Sequence, residues 1–377
     1  MKKKILFVIN NLKGGGAERV LVNILNNFPF EEADVDLLLF WKDGLFLNEI
    51  TDEVKIKNIF NTIPKNDLLF LLERIILRMI LLFPALIYFF KLKTEYDLEV
   101  SFLEGLPAVF IAKSPVKQSK KFAWIHTNVV HNATRNFRME DAAYNRMDKI
   151  IFVSDEIKEF FMKKHPRIPQ SLLTTLYNPV DTNQVIQQSS EPCPVRFDDT
   201  NFNIVSMGRL SFSKGFDRLI NVADKLVNGK GLNDLKFYIL GAGELETELQ
   251  NLIRDKRLSS HVILLGFTRN PFPYLVQAKL FFLSSRFEGF PMALLESKIL
   301  AIPSVSASCS GVSEAIKDAF DGFIVSNESD LKFIDEAANM IYSLYNGDEL
   351  NKIKKNLADE DKYNCNIYKI YQCLLSV

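Results

Sequence analysis

The chain has no net charge, because 46 lysines and arginines offset 46 aspartates and glutamates across 377 residues. Without a basic excess there is no global electrostatic case for nucleic acid as a partner. Cysteine is scarce. The four thiols, Cys193, Cys309, Cys365 and Cys373, include no C-x-x-C and no metal-ligand spacing, and they fit reduced thiols in a cytoplasmic protein. His126 and His131 stand five apart, which is not the i, i+4 spacing of a helical metal pair. Long apolar runs are missing too. The run Ile5–Ile9 ends at Asn10-Asn11, too short for the apolar core of a signal peptide, and reads as a first strand. Leu68–Phe90 is strongly apolar but carries Glu73, Arg74 and Arg78. Its longest uncharged part, Met79–Phe90, is 12 residues with Pro84 inside it. A spanning helix needs about 20 residues, so the stretch is a buried helix pair or an interfacial segment. Lys91, Lys93, Lys113, Lys117, Lys120 and Lys121 lie near it in sequence. A cationic, apolar face can rest on an anionic leaflet; the other reading is a core stretch beside a solvated lysine face.

The length suggests about two domains. Apolar residues at 47% and charged residues at 24% are ordinary for a globular chain. Lys4–Asn10 reads as a strand. The loop Asn11-Leu12-Lys13-Gly14-Gly15-Gly16-Ala17-Glu18-Arg19 follows, then a helix with Val20, Leu21, Ile24 and Leu25 on one face. Strand, glycine loop and helix open a doubly wound domain, in which a helix start favours phosphate. The dinucleotide fingerprint is incomplete, because Arg19 stands where its third glycine belongs. Phe40-Trp41, rather than an acid, ends the second strand Val35–Trp41. Both features argue against an NAD-dependent oxidoreductase. Asp34-Val35-Asp36 and Asp359-Glu360-Asp361 match a D-x-D metal motif only formally; a strand opening is a poor place for a metal-diphosphate site. Asp97–Leu103 and Lys121–Ile125 read as further strands. The second ends in Trp124-Ile125-His126-Thr127-Asn128, so His126 lies where α/β sites form; a satisfied structural histidine is the alternative. Lys149–Ser154 is another strand, with Ser154 or Asp155 capping the next helix. Asn132-Ala133-Thr134 is a formal glycosylation acceptor that means nothing in a cytoplasmic protein. Polar Thr182–Thr200, with Pro192 and Pro194, reads as a linker.

The second half restarts the pattern. The strand Phe202–Met207 runs into Gly208-Arg209-Leu210-Ser211-Phe212-Ser213-Lys214-Gly215-Phe216 and a helix. Arg209 and Lys214 on one strand-to-helix loop can converge on one diphosphate, the first bidentate, the second as a point charge. Leu235–Leu240 precedes Gly241-Ala242-Gly243-Glu244, and His261–Leu265 precedes Gly266-Phe267-Thr268. Next comes the strand Ala278–Leu283, followed by Ser284-Ser285-Arg286-Phe287-Glu288-Gly289-Phe290-Pro291-Met292-Ala293-Leu294-Leu295-Glu296. This is a strand, a Gly-Pro turn and a helix, with Pro291 suited to the first helical position. Glu288 sits at the turn and Glu296 in the helix, beside a helix start suited to an anion. Such a site fits a ligand that is a sugar at one end and a nucleotide diphosphate at the other. On the glutamates alone, a core helix with two solvated acids is an equally good reading. Leu331–Tyr345 and Glu349–Ser376 read as helical.

Several of these segments resemble one family. The run Glu288-Gly289-Phe290-Pro291 through Leu294-Leu295-Glu296 resembles the donor site of retaining glycosyltransferases of group 1, family 4. Gly208 through Ile220 is similar to that family's "G-R-L-x-x-x-K-G-F-D-x-L-I", Gly241-Ala242-Gly243-Glu244 to its "G-x-G-E", and Ser310-Gly311-Val312-Ser313-Glu314 to a helix start. Gly15-Gly16-Ala17-Glu18 resembles the first domain's loop, and Tyr177-Asn178-Pro179-Val180-Asp181 the end of that domain. Ala301 departs from a usual glycine and Ser304 from a common valine. The resemblance implies an α/β fold of two Rossmann-like domains facing across a cleft (GT-B). Their expected bounds are 1–182 for an acceptor-side domain, 183–200 for a linker and 201–360 for the nucleotide-sugar domain. Residues 361–377 would form a helix packing back on the first domain. It further implies transfer of a sugar from a nucleotide sugar, a UDP-sugar, to an acceptor hydroxyl, with no metal cofactor. Arg209 and Lys214 would stabilise the departing diphosphate, Glu288 the donor hydroxyls, Glu296 the ribose, and His126 the sugar near the reacting carbon. Gly15, Gly16, Gly208, Gly241, Gly243, Phe267, Gly289, Phe290, Met292 and Leu295 would complete the donor site. The expected acceptor is a glycan or polyprenyl-diphosphate-linked oligosaccharide in bacterial surface polysaccharide assembly. The enzyme would be cytoplasmic, in peripheral contact with the inner membrane. A nucleotide-sugar-binding protein without turnover would need the same residues.

Overall fold

The computed structural model describes residues 2–63, 67–92, 95–127, 137–359 and 367–377. His131, the Asn132-Ala133-Thr134 sequon, Asn128, Lys93 and Glu360-Asp361 lie outside them. The chain divides into two units, Met1–Pro179 with Asn366–Val377, and Val180–Cys365.

In the first unit seven parallel strands form one sheet: β1 (Lys3–Ile9), β2 (Ala33–Trp41), β3 (Lys55–Phe60), β4 (Leu98–Ser101), β5 (Lys120–Ile125), β6 (Lys149–Phe152) and β7 (Leu173–Thr175). Their spatial order is β3-β2-β1-β4-β5-β6-β7. The second sheet has six, β8 (Phe202–Met207), β9 (Leu235–Leu240), β10 (Val262–Gly266), β11 (Leu280–Leu283), β12 (Ser304–Ala307) and β13 (Phe323–Val325), in the order β10-β9-β8-β11-β12-β13. Both follow the doubly wound 3-2-1-4-5-6 order, in which the chain reverses direction between the first and fourth strands and leaves a crevice at their carboxyl ends. Helices on both faces bury these strands, so β4, β8, β11 and β12 are buried throughout.

Two of the four edge strands, β3 and β13, escape the sequence reading. β3 is half-exposed with two lysines, and β13 has only three residues. The linker reading of 183–200 needs correction, since Thr182–Ser189 is a helix belonging to the second unit. Asp181 caps it by accepting from Gln184 N at 2.9 Å, and Val185 is its buried contact. Ile367–Leu375 is a helix of the first unit, where the Tyr371 hydroxyl donates to Ile24 O at 2.9 Å. Ser154, rather than Asp155, caps the helix Asp155–Lys164 by accepting from Ile157 N. Asp36 of the formal D-x-D is held by Lys57 Nζ and the Tyr96 hydroxyl, each at 2.6 Å. Ala301 adopts φ +55°, a left-handed conformation that glycine takes without strain; the departure from the family pattern is therefore a strained one.

Candidate active site

The crevice of the second unit lies between β8 and β11, and the loops leaving those strands are joined there. Arg286 N donates to Ser213 O at 2.8 Å and Ser284 Oγ to Lys214 O at 3.0 Å. Gly215, at φ +63°, is required at this junction, since a Cβ there would stand 2.3 Å from Ser284 O. The joined loops place Lys214 against Glu288. Lys214 Nζ donates to Glu288 Oε1 at 2.6 Å, and Ser285 Oγ donates to the same oxygen at 2.6 Å. Both of these bonds go to Oε1, and no hydrogen bond to Glu288 Oε2 is seen among the described residues. Arg209, on the same loop, is exposed and its guanidinium makes no ion pair among the described residues. The two cations thus differ: Lys214 is spent partly on Glu288 and retains two N–H donors, whereas Arg209 is uncommitted.

The other glycines act mainly on the backbone. A Cβ at Gly241 would lie 1.8 Å from Gly208 O, and one at Gly243 2.4 Å from Leu210 O. They let the loop after β9 close onto the loop after β8, where Leu210 N donates to Ala242 O at 3.0 Å. A Cβ at Gly208 would press on the Lys214 stem at 3.3 Å. Phe267, past β10, is exposed. Pro291 is the N-cap of the helix Met292–Ile299 and not its first residue. Phe290 and Leu295 are buried, with Phe290 lying over Gly311, so they shape the turn from beneath. Glu296 is half-buried on the same helix.

Two arginines clamp this turn, and the sequence reading gave neither a role. Arg218 is 1% exposed; its Nε donates to Ser284 O at 3.1 Å, and its Nη1 to Asn327 at 2.7 Å and Asp330 at 3.4 Å. Arg286 donates to both oxygens of Asp217 at 2.8 and 2.6 Å and reaches Asp330 at 2.6 Å. The Asp217 and Asp330 hydrogen bonds hold the Arg286 pKa above its ordinary value, while burial lowers that of Arg218.

In the first unit the corresponding crevice lies between β1 and β4. Gly15 caps the helix Gly16–Asn26 without a side-chain bond, and a Cβ on Gly16 would meet nothing within 4 Å. Arg19 is turned away from that helix start, paired with Glu49 and stacked 3.8 Å over Phe46. His126, just past β5, is 6% exposed and packs on Phe102 and Trp124. Its Nε2 is buried without a partner. Glu104, which the sequence reading missed, follows β4 and accepts from His126 N at 3.0 Å and from the Thr127 hydroxyl. A lone acid in a loop gives no sequence signal; its position after the fourth strand is the clue. Among the described residues no group of three or more His, Cys, Asp or Glu stands ready to hold a metal.

Two family models match in sequence order and together take in most of the chain: Glycosyltransferase Family 4 over residues 14–184 and Glycosyl transferases group 1 over residues 189–359. The chain belongs to the family 4 glycosyltransferases. Its two Rossmann-like units are the fold class of the GT-B glycosyltransferases. The chain is 32% identical over 184 residues to the Campylobacter jejuni N-acetylgalactosamine-N,N'-diacetylbacillosaminyl-diphospho-undecaprenol 4-alpha-N-acetylgalactosaminyltransferase, covering 48% of this chain and 47% of that one. It thus spans about half the length of that relative, as of several others. The lipopolysaccharide 1,6-galactosyltransferase of Escherichia coli is 24% identical over 331 residues, 85% of this chain and 84% of its own. Anabaena HepE, solved in complex with UDP and glucose, superposes with a TM-score of 0.74 over 99% of this chain and 98% of its own, at 20% identity. At that identity the likeness is one of fold.

Within this glycosyltransferase His126 is a neutral group at pH 7. Burial pushes its pKa down to about 4, against a smaller upward pull from Glu104. The unfolded chain, with an ordinary pKa of about 6.5, binds more protons between those values, so stability falls as pH drops through that window. The melting temperature of wild type will therefore fall more steeply from pH 7 to 4.5 than that of His126→Asn. Equal slopes would contradict the buried, neutral ring.

Proposed function

We propose that the chain is a retaining hexosyl- or N-acetylhexosaminyltransferase. It moves a sugar from a UDP-sugar to a hydroxyl of a polyprenyl-diphosphate-linked oligosaccharide, in assembly of a bacterial O-antigen, capsule or exopolysaccharide, at the cytoplasmic face of the inner membrane. The observation that carries this reading is the Lys214–Glu288 pair in the crevice of the second sheet. Glu288 Oε2 accepts from a donor-sugar hydroxyl, while Lys214 and Arg209 neutralise charge growing on the departing diphosphate. Stabilisation of this kind, aimed where charge develops, lowers a barrier by several kcal/mol. It assigns to two side chains the neutralisation that a metal cofactor would otherwise supply. Glu296, a turn and a half along the helix, holds the ribose. Support for the donor and acceptor classes comes from the relatives, one named for a diphospho-undecaprenol acceptor and one solved with UDP and glucose.

The test is a screen of UDP-glucose, UDP-galactose, UDP-N-acetylglucosamine and UDP-N-acetylgalactosamine against a panel of polyprenyl-diphosphate glycans. Products are read by mass spectrometry, and the anomeric configuration by NMR. The expected result is release of UDP with one sugar added in the donor's anomeric configuration. Protein that binds UDP yet neither hydrolyses nor transfers any of these sugars would instead be a binding protein without turnover.

A further inference from the structure

The segment Asp67–Leu92 already has a buried side. Leu77, Ile80 and Leu81 are buried on the helix Asp67–Leu82, and Ile87, Tyr88 and Leu92 are buried beyond Pro84. A surface helix that has buried one apolar stripe carries charge on the other. This one does not. Ten of the twenty exposed large apolar residues among the described ones fall between Leu71 and Phe90. They recur at helical spacing through Leu82 and continue past the break to Phe83, Phe89 and Phe90, which are 56%, 74% and 64% exposed. The arms Leu71–Leu82 and Ala85–Leu92 meet at 91°, and no single helix among the described residues is long and apolar enough to cross a membrane.

We propose that this bent pair is a wedge that seats in one leaflet of a phospholipid bilayer and holds the transferase there by apolar insertion. The inference rests on the reading above that the enzyme works on a membrane-borne acceptor, and it names the surface that meets the membrane. Among the side chains described from Leu71 to Leu92, the exposed charge is of one sign. Glu73 turns inward, accepting from Trp41 Nε1 at 2.8 Å. Arg78 is exposed beside the apolar face, where anionic headgroups complement it; Lys91 is also exposed there, although its Nζ donates to Asn58 O at 2.7 Å. Pairing of this face with a second copy would bring the same cations together, which disfavours that occupant. Electrostatics nevertheless supplies the smaller part. The lysines expected to strengthen a cationic face are largely engaged: Lys113 Nζ donates to Leu81 O at 2.8 Å, Lys120 pairs with Asp148 at 3.0 Å, and Lys121 turns to Val116 O at 2.9 Å. Attachment that depends on apolar area survives salt, whereas attachment by surface charge is screened out.

Flotation of the full chain with mixed phosphatidylcholine–phosphatidylglycerol vesicles tests the wedge, at about 0.1 M and about 1 M salt. Wild type should float at both. The triple variant Phe83→Glu/Phe89→Glu/Phe90→Glu should lose about tenfold or more of the floated fraction, while binding UDP as wild type does. Wild type that stays in the soluble fraction, or that is released by high salt, overturns the proposal. So does a triple variant that floats equally well, or a wild-type dimer that the variant disperses without any flotation. Wild type that floats but transfers no sugar would leave the wedge standing and remove the functional reading instead.

Discussion

Lys214→Ala lowers the rate of sugar transfer at saturating donor by about a hundredfold, the usual scale for deleting one group that stabilises transition-state charge. The ammonium stands 2.6 Å from Glu288 Oε1, so under the proposed function the substitution removes a diphosphate contact and also frees the carboxylate assigned to the sugar. Glu288→Ala acts on the second of these only and should cost at least about tenfold. The pair is only partly buried, so its loss should cost folding about 1 kcal/mol or less. Activity and stability then separate: transfer collapses while the melting temperature stays within a few degrees. Lys214→Arg should recover little, because a planar fork cannot reproduce a point charge packed against Gly208. Transfer within about threefold of wild type in either alanine variant would remove both residues from the site.

The strands that carry the candidate sites were legible as apolar runs. β1, β8 and β11 are buried runs read directly from their composition, and the residues past their carboxyl ends, Gly14–Gly16, Arg209, Lys214 and Glu288, follow from topology. What was not legible depends on partners distant in sequence. Polar edge strand β3 gains its conformation from pairing with β2, since its lysines give no apolar period. The helix at Thr182–Ser189 has one buried residue, too weak a stripe to distinguish from a linker. Lysines near the apolar segment looked like one cationic face, yet Lys120 and Lys121 find acceptors inside the first unit. Glu104 and His126 come from adjacent strands β4 and β5, and only the sheet brings them together. The glycines of Gly241-Ala242-Gly243 were read for ligand approach, and the structure shows what they do first, which is to let two loops touch.

Arg218→Ala should be the most damaging of the substitutions away from the ligand. Arg286 lies in the turn itself, and its partners Asp217 and Asp330 are more than a third exposed, so water compensates part of its loss. Arg218 has no such relief. It is buried over the Phe333 ring at 4.0 Å, and its guanidinium bonds Ser284 O from two nitrogens while also reaching Asn327. Removal leaves a buried carbonyl without its donors, opens a cavity and forfeits the ring contact, together about 3 kcal/mol. Because Ser284 is where the turn toward Glu288 begins, the loss should appear twice: as a melting temperature lowered by several degrees, and as weaker UDP binding in the protein that remains folded. Arg218→Lys tests the geometry, since lysine keeps the charge but cannot bond Ser284 O and Asn327 in one plane. It should recover less than half of the lost stability. Full recovery by lysine would reduce Arg218 to a buried charge, and the turn would owe its position to the bonds it donates to Ser213 O and Lys214 O and to the Arg286 clamp.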